Sequence, residues 1–449
     1  MSFVVHRVAK SAARYTDAGG REKCGYCRFF VAPRACGKVI GPVSPQGWCK
    51  YFSRQVAQQY SGAGITGGGG PPGMTLDLNF MSSGNMPAGV TFTRASSATY
   101  TDASGVIQTA ATNAPRWDYA NGVLRGLLIE EARTNTQPWS GDLSHAPWAP
   151  AALGVIAPTV TGNNVVAPDG TLTAARIVMP AVPAGANASF VGANSGSGAV
   201  PTTFSIWLRG AVGGEIVNVS ASNFTVWAHT TVTLTTVWQR YSFTTTPAGN
   251  WTFFVGADMR DATQTPTPAQ TFHAWGAQCE AGAFPTSYIP TTSATVTRAA
   301  DVAVMPANVS WYAPPPGTIF VETLQQALMS KAAAVVALAN GAAGPHTGIN
   351  VSGANTVNIF DNTGGLNLSI GAVPVATPYK VALAFANGSQ RASLNGAAIV
   401  SAATATITTG VTLLAIGGDG IGSQMNSYIR RVQFWPRQLT DAELQQVTT

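Results

Sequence analysis

Residues 92–135 read FTRASSATYTDASGVIQTAATNAPRWDYANGVLRGLLIEEARTN, and the spacing within and just before this stretch decides the fold class. Apolar and polar residues alternate in short bursts at 74–80, 90–94 and 97–101, the period of strands that bury one face. Asp102-Ala-Ser-Gly105 reads as a turn between strands, and Tyr119-Ala-Asn-Gly122 as another. Near the end of the stretch stand Glu130 and Glu131. Neighbours on a strand point to opposite faces, so these two cannot flank one glycosidic bond as an acid/base pair. The expectation is structural: one of them pairs with Arg116 or Arg133 inside the fold.

The same punctuation runs outward to the C-terminus. Strand candidates at 204–208, 216–219, 231–235, 241–245 and 252–257 are short, β-branched or aromatic, and separated by Gly, Pro and Asn. A second set follows at 318–323, 380–385, 392–396 and 429–435. Thr440, with Glu443 three residues on, forms a capping box for a last short helix. The fold class expected is mainly β: two antiparallel β-sandwich (jelly-roll) domains, preceded by a β-hairpin-rich segment and a small four-cysteine cluster-binding module. The divisions are a basic arm at 1–22, the cysteine module at 23–60 and a Gly/Pro linker at 61–73. A β-rich connector at 74–135 follows, then sandwiches at 136–302 and 303–449.

Composition fits this. Of 449 residues only 10% are charged, while 48 Gly and 28 Pro supply turns and 45% apolar content suffices for large cores. No apolar run reaches the ~18 residues of a membrane span. The net charge of +6 is unevenly placed. Residues 1–55 hold ten Lys/Arg against two Asp/Glu, leaving 15 against 17 for the rest. That basic end suits docking on a protein surface better than nucleic acid, since no groove-reading motif accompanies it. A solvated basic tail is the plain alternative.

Four of the five cysteines, Cys24, Cys27, Cys36 and Cys49, are spaced C-x2-C-x8-C-x12-C. Tyr26, Phe29, Phe30, Trp48 and Phe52 crowd them with apolar rings. Four thiolates around one metal centre would staple a module too small to fold on its core alone. Structural zinc, two disulfides and free thiols are the alternatives. Zinc ribbons usually carry two C-x2-C knuckles, and no secretory signal precedes the cysteines to favour disulfides. Cys24-Gly25-Tyr26-Cys27, Cys36 and Gly47-Trp48-Cys49 resemble the high-potential iron–sulfur proteins. The resemblance implies a [4Fe–4S] cluster on the four cysteines, with the aromatic residues as its shell.

Three further resemblances follow from quoted residues. Phe92-Thr-Arg94-Ala-Ser-Ser-Ala-Thr-Tyr100, Pro115-Arg116, Asp118-Tyr119 and Gly126-Leu-Leu-Ile-Glu-Glu131-Ala-Arg133-Thr-Asn135 resemble a segment of tailed-bacteriophage fibre, spike and head-fibre proteins. Phe284-Pro-Thr-Ser-Tyr-Ile-Pro290 and Thr297-Arg-Ala-Ala-Asp301 do so again. Phe204-Ser-Ile-Trp-Leu208, Trp238-Gln-Arg-Tyr241 and Trp275-Gly-Ala-Gln278 resemble the jelly-roll carbohydrate-binding modules. Lys380-Val-Ala-Leu-Ala-Phe385, Ala392-Ser-Leu-Asn-Gly396 and Ile429-Arg-Arg-Val-Gln-Phe-Trp435 resemble the concanavalin-like, laminin-G-like domains.

Together these imply a virion structural protein rather than an enzyme, made in a host cytoplasm without a signal peptide. It would dock on other virion proteins by its N-terminal region and form a trimer or dimer. Alternatives are a polysaccharide-depolymerising tailspike and a redox-active iron–sulfur protein. Host-surface glycans are the implied outward partner, with Trp227 and Trp251 as the candidate sugar-stacking residues. Trp207, Trp238, Trp275 and Trp435 are expected to pack inward, and Cys279 to be a buried apolar residue. The five histidines form no metal-binding pair. Turn oxygens at Asp361 and Asp419 are a weak calcium candidate against ordinary turn chemistry.

Overall fold

Short β-branched runs broken by turn residues satisfy their backbone by pairing with one another, and the computed structural model shows them paired antiparallel. The structure describes residues 70–449 except 83, 197, 328–331, 342–343, 345, 404–405 and 421–423, together with the backbone of 30–31 and 35–36. The chain divides into two units, residues 1–63 and 64–449. Within the first, Phe30–Val31 pairs antiparallel with Ala35–Cys36, so that Phe30 is the register partner of Cys36.

The second unit contains two sandwiches, one inserted into the other. The inserted one has two five-stranded sheets. Its first sheet runs, in order, Ala149–Leu153, Ala188–Asn194, Thr252–Asp258, Ile216–Ser222 and Trp227–Thr233. Its second runs Thr159–Val165, Ala174–Met179, Gln270–Ala281, Thr202–Gly210 and Gln239–Thr245. Period 2 directs Phe204, Ile206 and Leu208 inward, where they meet Val217, Val219 and Phe253 from the facing sheet. Cys279 joins this core at 1% exposure, and burial pushes its thiol up to about 11, so it behaves as a small apolar residue.

The enclosing sandwich pairs a seven-stranded sheet with an eight-stranded one. Residues 74–135 do not stand apart as a connector. Leu76–Asn79 and Val123–Ile129 both pair with Ser427–Trp435, and Thr91–Thr93 pairs with Val302–Pro306. The apolar alternation of 74–135 lacks a second sheet of its own, so its buried face, Leu76, Leu78, Leu127 and Ile129, completes the core of the C-terminal sandwich. The turn at 119–122 forms between Trp117–Ala120 and Val123–Ile129, with Asn121 and Gly122 at φ +51 and +73.

At the junction Arg133–Asn135 pairs with Val296–Arg298, so the chain leaves and re-enters the enclosing sandwich through adjacent strands. A separate hairpin, Ala98–Thr101 with Ile107–Ala110, lies here too. The final helix Asp441–Thr448 begins in the expected capping box: Thr440 Oγ1 accepts from Glu443 N, and the Glu443 carboxylate accepts from Thr440 N. No helix among the described residues is long and apolar enough to cross a membrane.

Candidate functional site

Cys24, Cys27 and Cys49, the positions Tyr26, Phe29, Trp48 and Phe52, and the side chains of Phe30 and Cys36 lie outside the described residues. Among the described residues, no group of three or more His, Cys, Asp or Glu is arranged to hold a metal. Asp361 is fully buried. Its carboxylate accepts from Thr408 N at 2.9 Å, Gly364 N at 2.7 Å and the Thr347 hydroxyl, so donors occupy the oxygens that a calcium ion would need.

The junction is built on charge. Arg94, Arg116 and Arg298 are each about 1% exposed or less, and they converge on Glu130 and Asp301. Arg116 donates to Glu130 Oε2 at 2.8 Å, to the Ser287 hydroxyl at 2.8 Å, to Thr99 O at 2.9 Å and to Asp301. Arg298 donates to Glu130 and, at 2.5 Å, to Glu131 O. Arg94 reaches Asp301 Oδ1 at 3.1 Å and the carbonyls of Ser96 and Ala111. Ser287 gives Glu130 both its amide, at 2.7 Å, and its hydroxyl, at 2.6 Å. Burial would raise the Glu130 carboxyl, but Arg298, Arg116 and Ser287 outweigh it and hold the group at about 2. Glu131 pairs with Arg133 at 2.6 Å. Sequence reading expects one glutamate to pair with Arg116 or Arg133; both do, Glu130 with Arg116 and Glu131 with Arg133, and Arg298 joins Glu130 as a partner not expected.

The tryptophans fall differently from the sequence expectation. Trp251 is 3% exposed and packs in the inserted core, so it offers no face to a sugar. Trp227 is half-buried; it donates to Asp258 Oδ2 at 3.2 Å and packs beside Phe190 and Phe254. Trp435 is buried under the final helix with Leu439 and Leu444. Trp207, Trp238 and Trp275 do not join the sandwich core. They sit on the opposite face of the second sheet, with Tyr288 and Ile107 of the hairpin. Alternation explains this, since Phe204, Ile206 and Leu208 already point inward and Trp207 therefore points out.

Two clefts open around this outer cluster, sharing Thr99, Ile107 and Tyr288. One, of about 320 Å³, is lined by Trp139, Trp275, Asp142, Asn163, Asp169 and Thr292 among others. Trp139 has φ +49, a conformation rare for a bulky residue, and its ring stacks on His145 at 3.4 Å. A chain of turns holds it: Trp139 N donates to Thr292 O, Asp142 N to Trp139 O, and the indole of buried Trp148 to Pro138 and Trp139 carbonyls. Asp142 and Asp169 each use Oδ1 to accept from the turn that follows, which leaves Oδ2 without a donor among the described residues. Aromatic edges beside carboxylate and amide oxygens suit a ligand with both apolar faces and hydroxyls. Sequence reading missed this cleft. Nothing local in the sequence links Asp169 to Trp139, 30 residues earlier.

The second cleft, about 270 Å³, is lined by Asp118, Arg125, Glu130, Arg240, Thr286 and Tyr428 among others. Burial lowers the Arg240 guanidinium to about 10, so it stays charged at neutral pH.

No known protein-family pattern matches the chain. A 44-residue stretch is 43% identical to an iron oxidase of Acidithiobacillus ferrooxidans, covering 10% of this chain and 49% of that protein. The chain thus spans about half the length of the curated relative it matches. Among solved structures, the CBM40 of Ruminococcus gnavus IT-sialidase bound to α2,3-sialyllactose is similar at 22% identity and TM-score 0.27, over 30% of this chain and 83% of that one. Domain 4 of AbnA, a GH43 extracellular arabinanase from Geobacillus stearothermophilus, in complex with arabinotriose, is similar at 11% identity and TM-score 0.28, over 37% and 82%. Trypanosoma rangeli sialidase in complex with DANA is similar at 13% identity and TM-score 0.28, over 32% and 25%. Matches of this extent say nothing of what this chain binds.

Proposed function

We propose that this chain is a structural subunit of a tailed-phage virion, a fibre or head/tail decoration protein that carries host-glycan attachment on its sandwich body. The observation that carries the reading is the convergence at the junction. Arg94, Arg116, Glu130, Ser287, Arg298 and Asp301 all belong to the segments that resemble phage fibres, and all meet in one buried network. The resemblance thus falls on a joint that locks two sandwiches together, as a projecting subunit requires. It does not fall on an acid/base pair: Glu130 is buried and held ionised by two arginines and Ser287, which disfavours it as the proton donor of a depolymerase. The cleft at Trp139, Trp275, Asp142 and Asp169 supports a sugar ligand there.

In the same reading, Cys24, Cys27, Cys36 and Cys49 hold a [4Fe–4S] cluster at the docking end. Self-association as a trimer or dimer would give the attachment sites avidity.

The test is the protein content of gradient-purified particles from the strain that encodes the chain. Mass spectrometry should find it at several copies per particle. Particles that infect normally and lack it would overturn the proposal.

A further inference from the structure

We infer that the cleft lined by Arg125 and Arg240 binds the carboxylate of an acidic sugar residue. The inference rests on the glycan-attachment reading and names its ligand class.

Four charged side chains line this cleft, and only the two carboxylates are satisfied. Glu130 is held by Arg116, Arg298 and Ser287. Asp118, 9% exposed, accepts from Thr101 N and from the Tyr428 hydroxyl, both at 2.7 Å. Neither guanidinium forms an ion pair among the described residues; Arg240 feels Glu280 and Glu130, and Arg125 feels Asp118, only at longer range. Arg240 donates only to neutral oxygens, Thr286 O at 2.5 Å and Ser205 Oγ at 2.9 Å, and its Nε is buried without an acceptor. Glu280, whose charge reaches Arg240, is itself taken by Thr286 and Gln278. Arg125 lies over the Tyr428 ring at 4.4 Å and forms no ion pair among the described residues.

Leaving guanidiniums partly desolvated and unpaired is costly, and a chain with 10% charged residues has few reasons to do it twice in one cleft. An incoming anion supplies the missing acceptor. The planar fork of arginine matches a carboxylate through two parallel bonds. Arg240 is also fixed for the task, because its guanidinium lies 4.4 Å above the Trp207 ring. The rest of the lining points to a sugar rather than a bare ion: Thr101 and Gln326 offer a hydroxyl and an amide, and Tyr100 and Tyr288 offer rings. The adjoining cleft shares Thr99, Ile107 and Tyr288, so one glycan can place a neutral residue at Trp139 and a carboxylated one at Arg240.

The experiment titrates the full-length protein with glucuronate, galacturonate and N-acetylneuraminate, with glucose and galactose as neutral counterparts, and with sodium sulfate and phosphate. Binding is read by saturation-transfer NMR and calorimetry. At least one acid should bind, and Arg125→Gln and Arg240→Gln should each weaken it tenfold or more, while Arg240→Lys weakens it less. Unchanged melting temperatures establish that the variants fold, and Arg125→Gln, on a half-buried site, serves if Arg240→Gln does not. Neutral sugars binding as well as acids would overturn the inference and leave the glycan reading intact. Sulfate or phosphate saturating these arginines while no acid sugar binds would make this an inorganic oxyanion site, also overturning it. No binding by any sugar would sink both.

Discussion

Glu130 is the residue on which most of the junction depends. It receives two arginines and both donors of Ser287, and its amide donates to Asp301 at 2.9 Å. Replacing it with Gln leaves Arg116 and Arg298 buried with one carboxylate fewer, which should destabilise the body by about 3–5 kcal/mol in a denaturant titration. The pH dependence has a definite sign. The folded pKa of about 2 lies below the ordinary value of 4.5, so the stabilisation is complete above about pH 4.5 and is lost as pH falls through 2. Wild type should lose stability steeply across that window and Glu130→Gln much less. Equal slopes would count against the network as a locking device. The sequence disclosed that one of the two glutamates would pair with Arg116 or Arg133, because adjacent strand positions diverge and those arginines stood nearby; it did not disclose that both pair or that Arg298 joins Glu130. It did not disclose Ser287 or Asp301 as members of the same network, since they lie more than 150 residues away and only the fold brings them together.

At the scale of elements, the strands were legible and their allegiance was not. Expected strands at 204–208, 241–245, 380–385 and 429–435 fall within the observed Thr202–Gly210, Gln239–Thr245, Pro378–Ala386 and Ser427–Trp435. Alternation reports which face is buried, but not which sheet buries it, so 74–135 read as a connector although its strands complete the enclosing sandwich. The outward tryptophans show the same limit, since the second sheet of the inserted sandwich is covered on both faces. Gly126 offers a test of this strand assignment. It has φ +134, and a Cβ there would sit 2.5 Å from Ile429 O on the neighbouring strand. Gly126→Ala should therefore cost at least about 2 kcal/mol from strain and crowding. A change within about 0.5 kcal/mol, the range of a neutral surface site, would argue that Val123–Ile129 does not pair there.

For the whole molecule, the proposal assigns docking to the cysteine-bearing segment and attachment to the two interlocked sandwiches. Purified protein should contain iron and acid-labile sulfide at about four each per chain, as a cubane requires. It should also sediment as a trimer or dimer. Zinc without sulfide, or a monomer at micromolar concentration, would remove the corresponding part of the proposal. Cys36→Ser or Cys49→Ser should abolish the bound iron and unfold residues 24–52, while leaving the melting of the body unchanged. The proposed sugar attachment rests on the Trp139 cleft. Asp142→Asn and Asp169→Asn are isosteric and keep the Oδ1 turn bonds, so they alter the cleft's acceptors without disturbing the loop. The most direct measurement is adsorption of fluorescently labelled full-length protein to the host bacterium, comparing wild type with the Asp142→Asn, Asp169→Asn double variant. Wild type should bind saturably, with binding lost after periodate oxidation of the cell surface and at least tenfold weaker in the variant. Equal adsorption by the two proteins, or wild-type binding that survives periodate, would contradict the proposal.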